Sequence, residues 1–166
     1  MGHALAAYLF RPVDRPLRIL ILGLGAGTVV KKIQHYACIS KLIAIAIDAT
    51  HIYIAKTLMG LNSADFSFYH ADAVEWLASY QGQCFDVIID DLYFEQECEP
   101  LRAVDFQENN RSWLPLLKSR LYEGGLLIAN CVSPAQARTS VSTSSPGFKH
   151  GMRFTKSEYA HISGSV

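Results

Sequence analysis

The chain has 166 residues, half of them hydrophobic, and its 15 basic residues balance its 15 acidic residues. This length fits one domain with a sizeable core, and the composition excludes intrinsic disorder. The balanced charge gives no overall field toward nucleic acid or an anionic membrane, and no apolar run in the sequence has the length of a membrane span.

The N-terminal segment and the cysteines favour a cytoplasmic protein. Residues 1–11 lack a basic n-region, so they predict a short helix packed on the sheet rather than a signal peptide. The cysteines are scattered without a Cys-x-x-Cys pair, which predicts reduced, mostly buried thiols. They are Cys38, Cys84, Cys98 and Cys131. The six histidines show no metal-ligand spacing, so no metal site is expected.

The next predicted elements are a buried strand over residues 19–22, a glycine-rich turn and an amphipathic helix over residues 28–36. The turn has glycine at positions 23, 25 and 27, and residues without Cβ let a ligand lie against the backbone. The helix N-terminus then offers free N–H groups to ligand oxygens. Thr28 stands where the dinucleotide-binding pattern needs its third glycine. The pattern predicts a nucleoside site, and the alternative is a tight turn in another kind of α/β domain.

Further strands alternate with helices along the chain. The predicted elements are strand two (41–48), a helix capped by Thr50 and ended by Gly60, strand three (66–70), a helix starting at Asp72, strand four (85–90), an acidic connection (92–105), a helix (106–121) that Pro115 could kink, a turn (123–125) and strand five (126–129). Residues 133–148 predict a poor helix and a loop, and residues 150–154 and 159–163 a closing antiparallel pair. This order predicts a doubly wound, mostly parallel Rossmann-like α/β sheet with an antiparallel C-terminal strand.

Polar residues stand at the carboxyl ends of the predicted strands, where ligands bind in such sheets. They are Asp48, His70, Asp72, Asp90, Asp91 and Asn130. Asp91 could cap the turn or helix that follows it. Strand alternation predicts that Asp90 and Asp91 point to opposite sides. For Asp72 the alternative to a ligand contact is a plain helix cap. For Tyr93 the simpler interpretation is that it covers the edge of the sheet.

Four segments resemble the catalytic domain of the spermidine synthase family, within the class I S-adenosylmethionine (SAM) methyltransferase fold. They are residues 19–27, 70–77, 85–91 and 121–127, in a resemblance that spans about residues 1–132. The resemblance implies one SAM-dependent methyltransferase-like domain over residues 1–166, without the family's N-terminal β-domain, and SAM or decarboxylated SAM as cofactor. The implied cofactor-binding residues are Gly23, Leu24, Gly25, Ala26, Gly27, Asp48, Ala49, Asp72, Ala73 and Asp91. Asp91 is also the implied catalytic residue, and Tyr93 the substrate-binding residue.

The sequence departs from the family where acids are expected. The family has an acid at three positions where this chain has an apolar residue. Ala26 stands where the family's acid contacts the amine substrate or the aminopropyl tail, Ala46 where its Glu holds the ribose hydroxyls, and Phe94 where its catalytic motif has a second Asp. We therefore predict a methyltransferase acting on an unidentified acceptor. The alternatives are a polyamine aminopropyltransferase and a non-catalytic nucleoside-binding relative. The expected partner is a small-molecule substrate, with no nucleic acid and no membrane, and a homodimer is left open.

Overall fold

The computed structural model describes residues 15–96, 99–102 and 107–130. The predicted N-terminal helix and everything predicted after residue 132, including the antiparallel closing strands, lie outside these residues, as do Cys98 and Cys131. The described strands are β1 (Leu17–Leu22), β2 (Ile39–Ala46), β3 (Phe66–His70), β4 (Phe85–Asp90), β5 (Tyr93–Gln96), β6 (Glu99–Arg102) and β7 (Leu121–Ala129). The helices are α1 (Thr28–Tyr36), α2 (Ala49–Tyr53, continued by a π-helical turn over Ile54–Leu58), α3 (Ala73–Ser79) and α4 (Gln107–Ser119).

Five strands form one parallel sheet in the order β3-β2-β1-β4-β7. The central strand β1 pairs with β2 on one side and with β4 on the other, in the register Leu20↔Ile43 and Leu20↔Ile88. The order reverses direction between β1 and β4, which makes their carboxyl ends the topological switch point. The predicted Rossmann-like parallel sheet is confirmed.

Helices cover both faces of the sheet, which is why the two central strands have unbroken apolar runs, over residues 19–22 of β1 and 87–89 of β4. On one face, Ile19 and Ile21 pack with Val30 and Ile33 of α1 and with Ala55. On the other face the core joins strand residues to α3 and α4. Its fully or nearly buried members are Leu20, Leu22, Ile43, Ile45, Ala73, Leu77, Phe85, Ile88, Trp113, Leu114 and Leu117. No helix within the described ranges is long and apolar enough to cross a membrane.

Strand β2 ends two residues earlier than the sequence predicts. It stops at Ala46, and the following Ile47 is 74% exposed rather than part of the buried run. Asp48 adopts an extended backbone and caps α2, because its Oδ1 accepts a hydrogen bond of 2.7 Å from the backbone N–H of Thr50. The prediction that Thr50 caps this helix is therefore wrong: the carboxylate of Asp48 accepts from the unpaired backbone N–H of Thr50 itself.

The region after β4 also differs from the prediction. The acidic connection predicted over residues 92–105 contains an antiparallel ribbon made of β5 and β6. The expected turn over residues 123–125 is an irregularity inside the longer β7, where the pairing shifts from Phe85↔Leu121 to Val87↔Leu126 and Gly124 has a φ of +76°. Cys38 is exposed, contrary to the expectation of buried thiols, whereas Cys84 is partly buried.

Candidate functional site

The carboxyl edge of the sheet is held together by backbone hydrogen bonds from the residue that follows β1, β3, β4 and β7. These residues donate their N–H groups to a neighbouring strand: Gly23 to Ile45 O (3.1 Å), Ala71 to Ala46 O (3.0 Å), Asp91 to Leu22 O (2.9 Å) and Asn130 to Asp90 O (2.9 Å). The polar residues predicted at the strand ends therefore lie along the carboxyl edge of the sheet. The glycine loop and Asp91 stand at its centre, above the switch point.

The glycine loop packs directly against the turn that contains Asp91. A Cβ on Gly23 would lie 2.7 Å from the carbonyl oxygen of Asp91, so no side chain fits between the two segments. Gly27 packs on the other side, where a Cβ would lie 2.9 Å from a side-chain carbon of Leu61. At Gly25, by contrast, no described atom lies within 4 Å of the Cβ position. The loop is therefore closed at both ends and open at Gly25, where a ligand can approach the backbone.

The N-terminus of α1 follows this loop without a side-chain cap. Gly27 occupies the N-cap position and provides no side-chain hydrogen bond, and the first turn of α1 contains no acidic residue. Ala26, just before it, is exposed. The first N–H groups of a helix have no partner within the helix and form its positive dipole end. This arrangement suits an anionic ligand group such as a carboxylate.

Asp48 and Ala49 lie at the start of α2, and both are exposed. The bond from the Thr50 N–H holds the pKa of the Asp48 carboxyl below its usual value, with smaller contributions from His51 and His70. Because the folded-state pKa is lowered, the stabilisation from this cap is present at neutral pH and is lost as the pH falls through that pKa. Ala46, at the end of β2, is buried, and its side chain has no carboxylate for a ribose. A role of Asp48 toward a ribose stays a prediction.

Asp72 caps α3, which agrees with the structural alternative considered for it. Its Oδ1 accepts hydrogen bonds from the backbone N–H groups of Val74 (2.8 Å) and Glu75 (3.0 Å). Both bonds end on the same oxygen, so the second carboxylate oxygen can accept a hydrogen bond from a ligand amino group. Ala73 begins the helix and is buried in the core. Contact of either residue with an adenine stays a prediction.

Replacing Asp72 separates these two roles. We expect Asp72→Ala to lower the free energy of unfolding by ~1 kcal/mol through loss of the cap. If the Asp72 carboxylate also contacts the adenine of the implied cofactor, the same variant should bind S-adenosylhomocysteine (SAH) roughly 3–10-fold more weakly. Asp72→Ser is the matched variant, because it keeps a good cap without the carboxylate. Denaturant unfolding and calorimetry measure the two effects, and unchanged SAH affinity in both variants would leave Asp72 with the cap alone.

Asp90 and Asp91 have different partners, as their predicted opposite directions require. Asp90 is buried, and its Oδ2 accepts a hydrogen bond of 2.8 Å from Nε1 of Trp113 in α4. Its Oδ1 accepts from the backbone N–H of Leu92 at 3.3 Å. The half-buried Asp91 instead accepts a hydrogen bond of 2.7 Å on Oδ1 from Nδ2 of Asn130. Asp90 therefore ties the turn after β4 to the core, while Asp91 belongs to the edge beside the glycine loop.

The side-chain contacts that hold these two carboxylates are not predicted by the sequence. The sequence identifies Asn130 only as a polar residue at a strand end, and that position is the available signal. Nothing local to Trp113 indicates its bond to Asp90. Tyr93 begins β5 two residues after Asp91 and is 53% exposed, so its substrate-binding role stays a prediction. No cluster of three or more potential metal ligands occurs among the residues that the structure describes.

Comparison with known proteins gives one family and two groups of enzymes. The family model described as the spermine/spermidine synthase domain matches residues 6–162. The eEF1A lysine and N-terminal methyltransferase of Mus musculus is 28% identical over 129 residues, which are 72% of this chain and 18% of that protein. Polyamine aminopropyltransferase 2 of Caldanaerobacter subterraneus subsp. tengcongensis is 29% identical over 80 residues, 46% of this chain and 27% of that protein. The matched region is thus less than a third of either relative.

Solved structures agree on the fold. The crystal structure of human methyltransferase-like protein 13 in complex with SAH superposes with a TM-score of 0.71 at 21% identity, covering 96% of this chain and 75% of that one. The N-methyltransferase NodS of Bradyrhizobium japonicum in complex with SAH gives a TM-score of 0.61 at 18% identity, covering 87% and 71%. At these identities the likeness establishes the fold, which is that of the class I methyltransferases.

Proposed function

The chain belongs to the spermine/spermidine synthase domain family, and from that premise we propose that it is a SAM-binding transferase that methylates an acceptor. One observation carries the proposal: the glycine loop, open at Gly25, lies directly against Asp91 at the switch point of the sheet. A ligand bound in this crevice has backbone N–H groups on one side and a carboxylate on the other.

The residues of the crevice fit SAM in three places. The uncapped N-terminus of α1 suits the methionine carboxylate, and the exposed backbone at Gly25 allows the ligand to lie close. The second oxygen of Asp72 suits the adenine amino group, as argued above. Bound SAM supplies a methyl group that its sulfonium already activates. The protein then needs mainly to hold two reactants in line and to exclude water.

Asp91 is the group that we propose to act on the acceptor. It follows β4 by one residue and is half-buried beside the glycine loop. A carboxylate in this place can accept a hydrogen bond from the acceptor, orient its lone pair and take up the proton that the acceptor releases. Such a group favours an acceptor that donates hydrogen bonds. Both relatives are named for amine substrates: lysine and a protein N-terminus in one name, and a polyamine in the other. We therefore propose an amine nitrogen as the acceptor.

Aminopropyl transfer is the second candidate, because the family model and one relative support it. It requires decarboxylated SAM, which lacks the carboxylate that the N-terminus of α1 would bind. It also requires carboxylates for the ammonium groups of a polyamine, since each must be compensated when it leaves water. Ala26 and Phe94 stand at two of the expected acidic positions, and neither side chain can accept a hydrogen bond. We therefore propose that SAM is the preferred ligand.

Calorimetry with SAM, decarboxylated SAM and SAH tests the choice of ligand. We expect SAM to bind about tenfold or more tightly than decarboxylated SAM, because only SAM has the carboxylate. The reverse preference would favour aminopropyl transfer, and robust formation of spermidine from putrescine would establish it. Absence of binding to all three ligands would instead leave a non-catalytic relative that keeps the fold.

The variant Asp91→Asn tests the catalytic role. We expect it to bind SAH within about threefold of the unmodified protein, since the isosteric amide removes a charge but no volume. Methyl transfer from SAM labelled in its methyl group to an amine acceptor should fall about 100-fold or more, because the amide cannot take up a proton. Equal transfer rates would assign Asp91 to the structure of the edge.

A cytoplasmic location is a further part of the proposal, and the free thiols of Cys38 and Cys84 are consistent with it. A small acceptor and a homodimer are the remaining parts of the proposal.

A further inference from the structure

We infer that Asn130 is a positioning residue: it orients the Asp91 carboxylate toward the place where the transferred group lies. The inference rests on the proposed function, because it concerns the same crevice. Asn130 follows β7, the last strand at the β4 side of the described sheet. Its side chain carries no charge, so it can orient the carboxylate without adding a charge to the site.

The backbone of Asn130 is fixed before its side chain reaches Asp91. Ala129 is in register with Asp90, and the N–H of Asn130 donates to the carbonyl oxygen of Asp90 over 2.9 Å. The short Asn side chain then has little freedom, and its Nδ2 donates to Oδ1 of Asp91 over 2.7 Å. A bond of this length from an amide to a carboxylate is of the strong, charge-assisted kind.

Asp91 is held from the opposite side through its own backbone. Its N–H donates to the carbonyl oxygen of Leu22 over 2.9 Å, and its carbonyl oxygen lies against Gly23. The main chain of Asp91 is thus fixed to the glycine loop, and its carboxylate is fixed to the end of β7. With both ends held, the plane of the carboxylate is set before any ligand binds. Such preorganisation is what a group that orients an acceptor toward the transferred methyl requires.

Two nucleosides of known structure report on this orientation without knowledge of the acceptor. SAH has a bare sulfur where SAM has its methylated sulfonium, whereas sinefungin has a carbon with an amino group at that place. The ammonium group of sinefungin can donate to Asp91, and SAH cannot. The ratio of the two affinities therefore measures how well the carboxylate faces the transfer position, while the SAH affinity alone measures the rest of the site.

The experiment compares this ratio by calorimetry in the full chain and in three variants. We expect the unmodified protein to prefer sinefungin about tenfold or more, as for a hydrogen bond between charged groups. Asp91→Asn should abolish the preference. Asn130→Ala should reduce it at least about threefold while SAH affinity changes less than twofold, because the negative charge remains but its direction is lost. Asn62→Ala is the matched control and should leave the ratio unchanged, because the Asn62 side chain donates to the carbonyl oxygen of Lys56 (2.9 Å) and not to Asp91.

A measurement on the unmodified protein serves if Asn130→Ala does not fold. The side-chain amide resonance of Asn130 should shift in NMR spectra on addition of sinefungin and much less with SAH, because only sinefungin draws on the same carboxylate. The positioning role is overturned if Asp91→Asn loses the preference for sinefungin while Asn130→Ala keeps it. It is also overturned if the Asn130 amide resonance responds equally to both ligands. In either case the proposed function stands. If the unmodified protein binds neither nucleoside, the proposed function itself is overturned.

Discussion

Gly25→Val is expected to abolish nucleoside binding while the fold is retained. The φ of Gly25 is +53°, and no described atom lies within 4 Å of its Cβ position, so the added methyl groups point into the space where the ligand lies. We expect the affinity for SAH to fall about 100-fold or more, which corresponds to ~3 kcal/mol. Calorimetry measures the affinity, and circular dichroism verifies the fold.

Gly60→Val is the matched control for this experiment. Gly60 has a φ of +68° and equally open space around its Cβ position, but it lies beyond the far end of α2. Valine there meets the same unfavourable backbone conformation, which costs about 1–3 kcal/mol of stability in either variant. Only Gly25→Val should lose the ligand. If both variants bind SAH normally, the nucleoside site lies elsewhere than the glycine loop.

Gly23→Ala is expected to produce the largest loss of stability. The added methyl would lie 2.7 Å from the carbonyl oxygen and 2.9 Å from the carbonyl carbon of Asp91, which are backbone atoms that cannot rotate away. The φ of +89° adds strain for any residue with a Cβ. Overpacking and backbone strain together should cost about 2–5 kcal/mol. A loss of this size is a large fraction of the stability of an ordinary domain.

Urea unfolding of Gly23→Ala beside Gly25→Ala measures this effect. Gly25→Ala has no steric conflict, and its φ of +53° falls in the left-handed region that alanine reaches at a cost of about 1–2 kcal/mol. The difference between the two variants therefore isolates the contact between the glycine loop and Asp91. Equal stability of the two variants would mean that the loop and the turn after β4 separate easily, and that the crevice is not preformed.

The regular elements could be predicted because their signals are local. The apolar runs of β1 and β4 and the period of α1 predicted those elements to within about two residues, as did the aromatic segment of β3. The errors fell where competing local signals are close in strength. Asp48 and Thr50 are both good helix caps, and only the backbone path after Ala46 shows which one reaches the donor. The glycines at 124 and 125 read as a turn, but pairing with β4 carries β7 through them.

The sequence by itself determined which residues stand at the carboxyl ends of β1, β3, β4 and β7, because a strand end is a local event in the chain, whereas β2 ends two residues earlier than predicted. It thereby determined the glycine loop, the polar residues of the carboxyl edge and the absence of acids at Ala26 and Ala46. Only the tertiary structure decided which of these residues meet. Asn130 and Asp91 are 39 residues apart, and Trp113 and Asp90 are 23 apart. Their contacts exist because β7 pairs beside β4 and α4 covers that face, and strand order depends on packing of the whole sheet rather than on any local pattern.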